Sequence, residues 1–209
     1  MRNGIGRNLF AGAACALALS ACGGDPATET LSNDAAAPAA PIQSGGPLVG
    51  DHWHSVYGVY GCGDGFLPIF ESTSDPDGIH SHQDGVVHVH PFKESVSRER
   101  ATFAVFLQAM GYAMSATGIT DADGNDPFAD CAPSDTANQV MLVRRSIDNL
   151  DAPPEVWHGS SARTAFFAED GEVWVLAVVP TGTDPASIPL PPDERFDAFN
   201  MSSGRTPTS

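Results

Sequence analysis

The sequence predicts an α+β domain: a short antiparallel or mixed sheet with hairpins, packed on one clear helix in a grasp-like arrangement. Three observations predict it. Short β-branched and aromatic runs recur between breaks rich in glycine and proline, which number 21 and 17 in 209 residues, a pattern of many strands and turns. One clear segment carries apolar residues at helical spacing, with Phe103, Phe106, Leu107 and Met110 at i, i+3, i+4 and i+7. The hydrophobic fraction of 42% suffices for a core, and the length fits one domain plus tails.

The chain opens on an address. Arg2 and Arg7 form a short positive region ahead of an apolar run over residues 9–19, which has the length of a signal-peptide core and is too short to span a bilayer as a mature helix. Leu19-Ser20-Ala21-Cys22 then resembles the bacterial lipobox, in which small residues precede a cysteine that is acylated and becomes the new N-terminus. Residues 1–21 therefore read as a lipoprotein signal and Cys22 as the lipid acceptor; an ordinary secretory signal is the alternative. Diacylglycerol plus an N-acyl chain buries enough CH2 groups to anchor a protein stably in a membrane. Residues 22–48 hold almost no large apolar side chains and read as a flexible tether. The globular domain is expected over 49–192, followed by a loose tail over 193–209.

Charge excludes one class of partner. With 26 acidic against 10 basic side chains the formal charge is −16, and removal of Arg2 and Arg7 makes it more negative. Nucleic acid needs a basic surface, so it is not expected as a partner. Contact with a membrane is expected through the lipid on Cys22 instead.

Four cysteines are present. Cys15 leaves with the signal and Cys22 takes the lipid, so Cys62 and Cys131 remain. Outside the cytoplasm two remaining cysteines most simply form a disulfide. The alternative is that Cys62, close to several histidines, ligates a metal.

Along the folded part, residues 51–60 are aromatic and β-branched and predict a strand; residues 61–65 are a glycine-rich break and 72–78 a loop. Residues 79–90 read as a hairpin. Ser97 can cap a helix over residues 98–110, closed by Gly111. Residues 121–130 are acidic, but they lack the glycine and glutamate positions of a calcium loop, so a surface loop is expected. Residues 139–143 predict a strand. Residues 164–168 and 172–179 flank Glu169-Asp170-Gly171 and predict a second hairpin, with glycine at the left-handed position.

The unusual chemistry is histidine. Of seven histidines, six fall between residues 52 and 90, as the pairs His52/His54, His80/His82 and His88/His90. Residues two apart on a strand point the same way, so each pair offers two imidazoles to one face. If Gln83-Asp84-Gly85 forms the loop, His80 opposes His88 and all four hairpin histidines share one side. Ile79, Val87 and Val89 then share the other, buried side. A two-residue Asp84-Gly85 turn would split the pairs across both faces. The three-residue register gives the cleaner amphipathic pair.

Neutral imidazole suits Zn, Cu or Ni, and such a divalent transition metal is the implied cofactor. The candidate ligands are His80, His82, His88, His90, His52 and His54. Asp51, Asp84 and Glu94 are nearby carboxylates that could ligate or orient the rings. The competing reading is a solvated, partly protonated face, and the lone His158 reads as structural. His88-Val89-His90 with Glu94 reproduces the His-x-His-x3-Glu core of the cupin metal motif, but the motif's second half is missing around His158. Nucleophile-elbow, zinc-protease and phosphate-loop motifs are all absent from the sequence.

The segments Asp51-His-Trp-His54 and Gly78-Ile-His-Ser-His-Gln-Asp-Gly-Val-Val-His-Val-His-Pro-Phe92, with residues 170–180 later, resemble an uncharacterised family of secreted or membrane-anchored bacterial proteins. The resemblance spans roughly residues 50–192 and is most specific at the histidine segments. It implies one coherent domain outside the cytoplasm and supplies no reaction. The functional expectation is metal capture, buffering or sensing. A metal-dependent enzyme with a cupin-like or hydrolytic site is one alternative; a structural or interaction lipoprotein without metal is the other.

Overall fold

In the computed structural model, which describes residues 45–61, 65–72, 74–129, 131 and 136–204, the first expected strand forms as β1 (Trp53–Gly61). All of these residues lie in the unit spanning Ile42–Ser209. The signal segment, Cys22, most of the tether and Cys62 lie outside the described residues. There follow β2 (Gly65–Phe66), β3 (Ile79–His80), β4 (Val86–Val89), α1 (Phe103–Ala109), β5 (Ala113–Met114), β6 (Ile119–Thr120), β7 (Asn138–Ser146), β8 (Glu155–His158), β9 (Glu172–Pro180) and α2 (Asp193–Ser203). The fold is α+β. Among the described residues, no helix is long and apolar enough to cross a membrane.

The main sheet runs β3-β4-β1-β9-β7-β8, with β2 added on β1. Every pairing in it is antiparallel except the central one, where β1 and β9 run parallel with Val56 beside Val173. Strand alternation divides the side chains between two faces. One face carries Tyr57, Val59, Ile79, Val87, Val89, Leu142, Trp174 and Leu176, packed with Phe103, Phe106 and Leu107 of α1 into the principal core. Phe103 stacks on Trp174 with centroids 5.5 Å apart, and Phe106 meets Tyr57 edge to face at 4.9 Å. The apolar stripe read from the sequence is thus the contact surface of the helix.

The other face holds Met141, Val143, Val175 and Ala177, and beyond them Val56, Val86 and Val173. It is closed by Ile188 and by Phe199 of α2. This corrects the expected loose tail over 193–209. Residues 193–203 are helical because the sheet leaves an apolar patch that Phe199 fills. Arg195, only 5% exposed, fixes the helix by donating to the Tyr57 and Leu67 carbonyls, both at 2.8 Å. Gly204, with φ of +68°, ends the helix in the left-handed conformation that favours glycine.

Two further expectations change. The helix starts at Phe103 rather than Arg98, because Arg98 adopts φ of +55° and its N–H donates to the Pro47 carbonyl at 2.6 Å. Thr102, not Ser97, is the cap; its Oγ1 accepts from Val105 N at 3.3 Å. The contact with Arg98 also ties down the end of the segment read as tether. The second hairpin does not form. Residues Gly159–Thr164 make a 3-10 turn, Phe166 bridges only to Thr102, and β9 pairs with β1 and β7. Gly171 is left-handed as expected, at φ of +89°. The strand expected over 139–143 extends to Asn138–Ser146.

Candidate metal centre

The histidine face is built by register. His80 pairs with His88 across β3 and β4, and His88 pairs with His54 across β4 and β1. Facing residues project to the same side. His52, His82 and His90 continue the same alternation just beyond the strand ends. All six rings therefore gather on the sheet face that α2 covers farther along, at the end α2 leaves uncovered. Neighbouring rings lie 4.3 Å apart for His82 and His88, 4.8 Å for His52 and His54, and 5.3 Å for His52 and His90.

The loop chemistry explains the register. Gln83 and Gly85 both take positive φ, at +65° and +82°. Between them the Asp84 Oδ1 accepts from Val86 N at 3.0 Å and from Ser81 Oγ at 3.3 Å, closing a three-residue turn. Ile79, Val87 and Val89 go to the core on the opposite side, each fully buried. The two-residue alternative, which would split the histidines, does not occur.

Two groups of ligand atoms result. In His52, His54 and His88 one nitrogen from each lies within 4.8 Å of the others; the same holds for Asp75, His80 and His90. Behind the first group, Asp84 Oδ2 stands 3.3 Å from His88 Nε2, so an Nε2–H donated to Asp84 leaves Nδ1 with its lone pair. Asp170 Oδ1 accepts from the His54 backbone N–H at 2.7 Å and steadies the start of β1. His54, His80 and His88 are 9%, 5% and 6% exposed, whereas His52 and His82 face solvent.

Burial and crowding lower the proton affinity of three of these rings, His52, His54 and His80. Burial, then the neighbouring His88 and His52, push His54 down to about 4. Burial and the adjacent His90 and His88 also lower His52. Burial lowers His80 despite the opposing pull of Asp75. At neutral pH these three rings are neutral, the form that binds metals. Asp84 stays ionised: burial would raise it, but hydrogen bonds from His88, Val86 and Ser81 outweigh that and hold it below the usual range.

Other expected participants stand elsewhere. Asp51 Oδ2 accepts from Leu48 N at 2.7 Å, and Glu94 accepts from Ser97 Oγ at 3.1 Å, so neither belongs to a ligand group. The cupin-like His-x-His-x3-Glu set is not assembled. His158 lies on β8, at the opposite edge of the sheet. The acidic segment 121–130 is a surface turn in which Asp121 Oδ1 accepts from Asp123 and Asn125 N–H groups at 2.9 and 2.8 Å. Cys131 packs against the principal core and is disulfide-bonded. The partner assigned from the sequence, Cys62, lies outside the described residues.

Asp75 was not among the sequence candidates. A signal for it existed: Asp75-Pro76-Asp77-Gly78 is a turn leading straight into Ile79-His80, and Asp75 Oδ1 accepts from Gly78 N at 2.7 Å. That turn folds the carboxylate back over the first histidine of the hairpin.

Scans of the chain against family models, curated proteins and solved structures find no match. The fold and site define an α+β domain with histidine clusters able to hold a metal ion.

Proposed function

We propose that this chain is a lipid-anchored extracytoplasmic protein that captures, buffers or senses a divalent transition metal through its histidine face. The observation that carries the reading is the convergence of His52, His54 and His88, with the Asp84 carboxylate behind His88. Three imidazoles suit Zn, Cu or Ni, and a carboxylate behind a ligating ring fixes its tautomer and raises its basicity. The anchor rests on the lipobox-like residues ending at Cys22, and the placement outside the cytoplasm rests on the signal segment and the family resemblance.

Elemental analysis of the purified chain, stripped with chelator and reloaded with Zn, Cu or Ni, tests the metal. Uptake of bound metal that His54→Gln reduces supports the reading; no uptake at neutral pH rejects it. Cys22→Ser tests the anchor, because the thioether needs that sulfur. Undiminished partition of the variant into membranes rejects lipidation.

A second reading, a metal-dependent enzyme, is favoured by one observation. Three protein ligands leave a fourth coordination position to fill, and one of the three, His52, is exposed.

A further inference from the structure

The ligands on this face suffice for more than one ion. We propose that the face holds two divalent transition-metal ions side by side, the second on Asp75, His80 and His90. The inference rests on the metal-binding reading above and extends it to a two-ion centre.

The two ligand sets share no residue, so filling one leaves the other intact. In the second set, Asp75 Oδ1 lies 3.2 Å from His80 Nδ1, and Asp75 Oδ2 lies 3.9 Å from His90 Nε2. Tetrahedral ligands about 2.1 Å from a zinc ion stand about 3.4 Å from one another. These atoms already straddle that spacing, and small rotamer changes bring them to it.

His80 supplies the independent observation. Its Nδ1 is buried and makes no hydrogen bond, although the Asp75 carboxylate is close by. A buried nitrogen in that condition carries a desolvation cost with no return. An ion between His80 and Asp75 removes the cost.

The far side of the same ring sets the tautomer. His80 Nε2 is 2.7 Å from His82 Nε2, and only one proton fits between them. With that proton on His80 Nε2 and donated to His82, His80 Nδ1 presents a bare lone pair toward Asp75. His82, expected as a ligand, becomes the positioning residue that holds His80 in its ligating form.

The two sets adjoin. Ring centroids are 5.3 Å apart for His52 and His90, and 5.6 Å for His80 and His88. Neighbouring cations repel, and Asp75 on the second site with Asp84 behind the first partly offsets this. Zinc suits both donor sets, three imidazoles in one and two imidazoles with a carboxylate in the other.

The test is stoichiometry. Chelator-stripped full chain is titrated with Zn2+ by calorimetry, and metal retained after dialysis is counted by elemental analysis. Two equivalents are expected. Asp75→Asn should retain one, and so should His90→Gln, which leaves the Asp75 turn and its bond from Gly78 N untouched. His54→Gln should also retain one, held by the intact second set. One equivalent in the parent, lost in His54→Gln but untouched by Asp75→Asn and His90→Gln, overturns the two-ion centre while the metal-binding reading stands. Two equivalents that survive both second-site variants overturn the ligand assignment. No uptake by the parent overturns both readings.

Discussion

His54 and His88 stand opposite each other across β1 and β4, their rings edge to face with centroids 4.9 Å apart. Burial, and then the nearby His88, push His54 down from its ordinary value. The pairing makes His54 reluctant toward protons while leaving its lone pair for metal. Its chemistry follows from strand register, which fixes how close the rings come.

The metal-free protein should be acid-sensitive. Burial and its histidine neighbours lower His54 from 6.5 to about 4, so below pH 6.5 the unfolded chain takes up a proton that the folded chain refuses. Stability is whole above pH 6.5 and falls as pH drops toward 4. Urea midpoints of chelator-stripped protein should decline over that window, and decline less in His54→Gln. A midpoint flat from pH 7 to 4.5 contradicts this. Zn2+ at about 100 times its Kd should add about 2.7 kcal/mol at pH 7, a gain that shrinks in acid because protons compete for the same nitrogens.

Gly78 should not tolerate a side chain. Its φ is +81°, and a Cβ there would run into the His90 carbonyl oxygen. Gly78→Ala should cost about 2 kcal/mol or more and reduce metal uptake by parting Asp75 from His90. Gly111, with φ of +88° and open space around it, is the control: Gly111→Ala should cost about 1 kcal/mol and leave metal uptake unchanged. Equal losses in thermal unfolding and in zinc titration would discount the clash.

Arg195→Met should loosen the C-terminal helix. The methionine keeps part of the packing but leaves the Tyr57 and Leu67 carbonyls without their donors, at a cost of about 2 kcal/mol or more. Chemical denaturation measures it, and a loss under about 0.5 kcal/mol would mean that the arginine contributes little beyond an ordinary surface side chain.

Cys62 and Cys131 are predicted to be joined. Thiol titration of the unfolded, unreduced mature domain should find none free. Reduction should destabilise the fold by about 4 kcal/mol in the chain-entropy picture for a loop of this length. Two titratable thiols would reject the pairing.

The histidine face was legible in the sequence because its signals are local. Period-two spacing placed each pair on one side, and Gly85 after Asp84 set the turn, so the His80–His88 register followed from residues 79–90 alone. Asp75 escaped because it reaches the site through a turn rather than through strand alternation. The helix stripe was readable, but its start was not: Arg98 leaves the helical region to meet Pro47, a tertiary contact with no sequence period. β9 was mispaired for the same reason. A tight turn announces a hairpin, whereas a parallel partner far along the chain leaves no mark beside it. The C-terminal helix looked loose because its one fully buried aromatic, Phe199, has meaning only against Val56, Val86 and Val173.

The parallel seam between β1 and β9 also governs when the protein can exist. β9 ends at Pro180, so a growing chain displays all six clustered histidines well before the strand that completes the sheet's centre is translated. Until then β1 and β7 each lack their longest neighbour and present open edges, the surfaces on which chains aggregate. Closing so distant a pairing is slow compared with forming local hairpins. Chains cut short before β9 are therefore the ones a cell must hold apart or destroy.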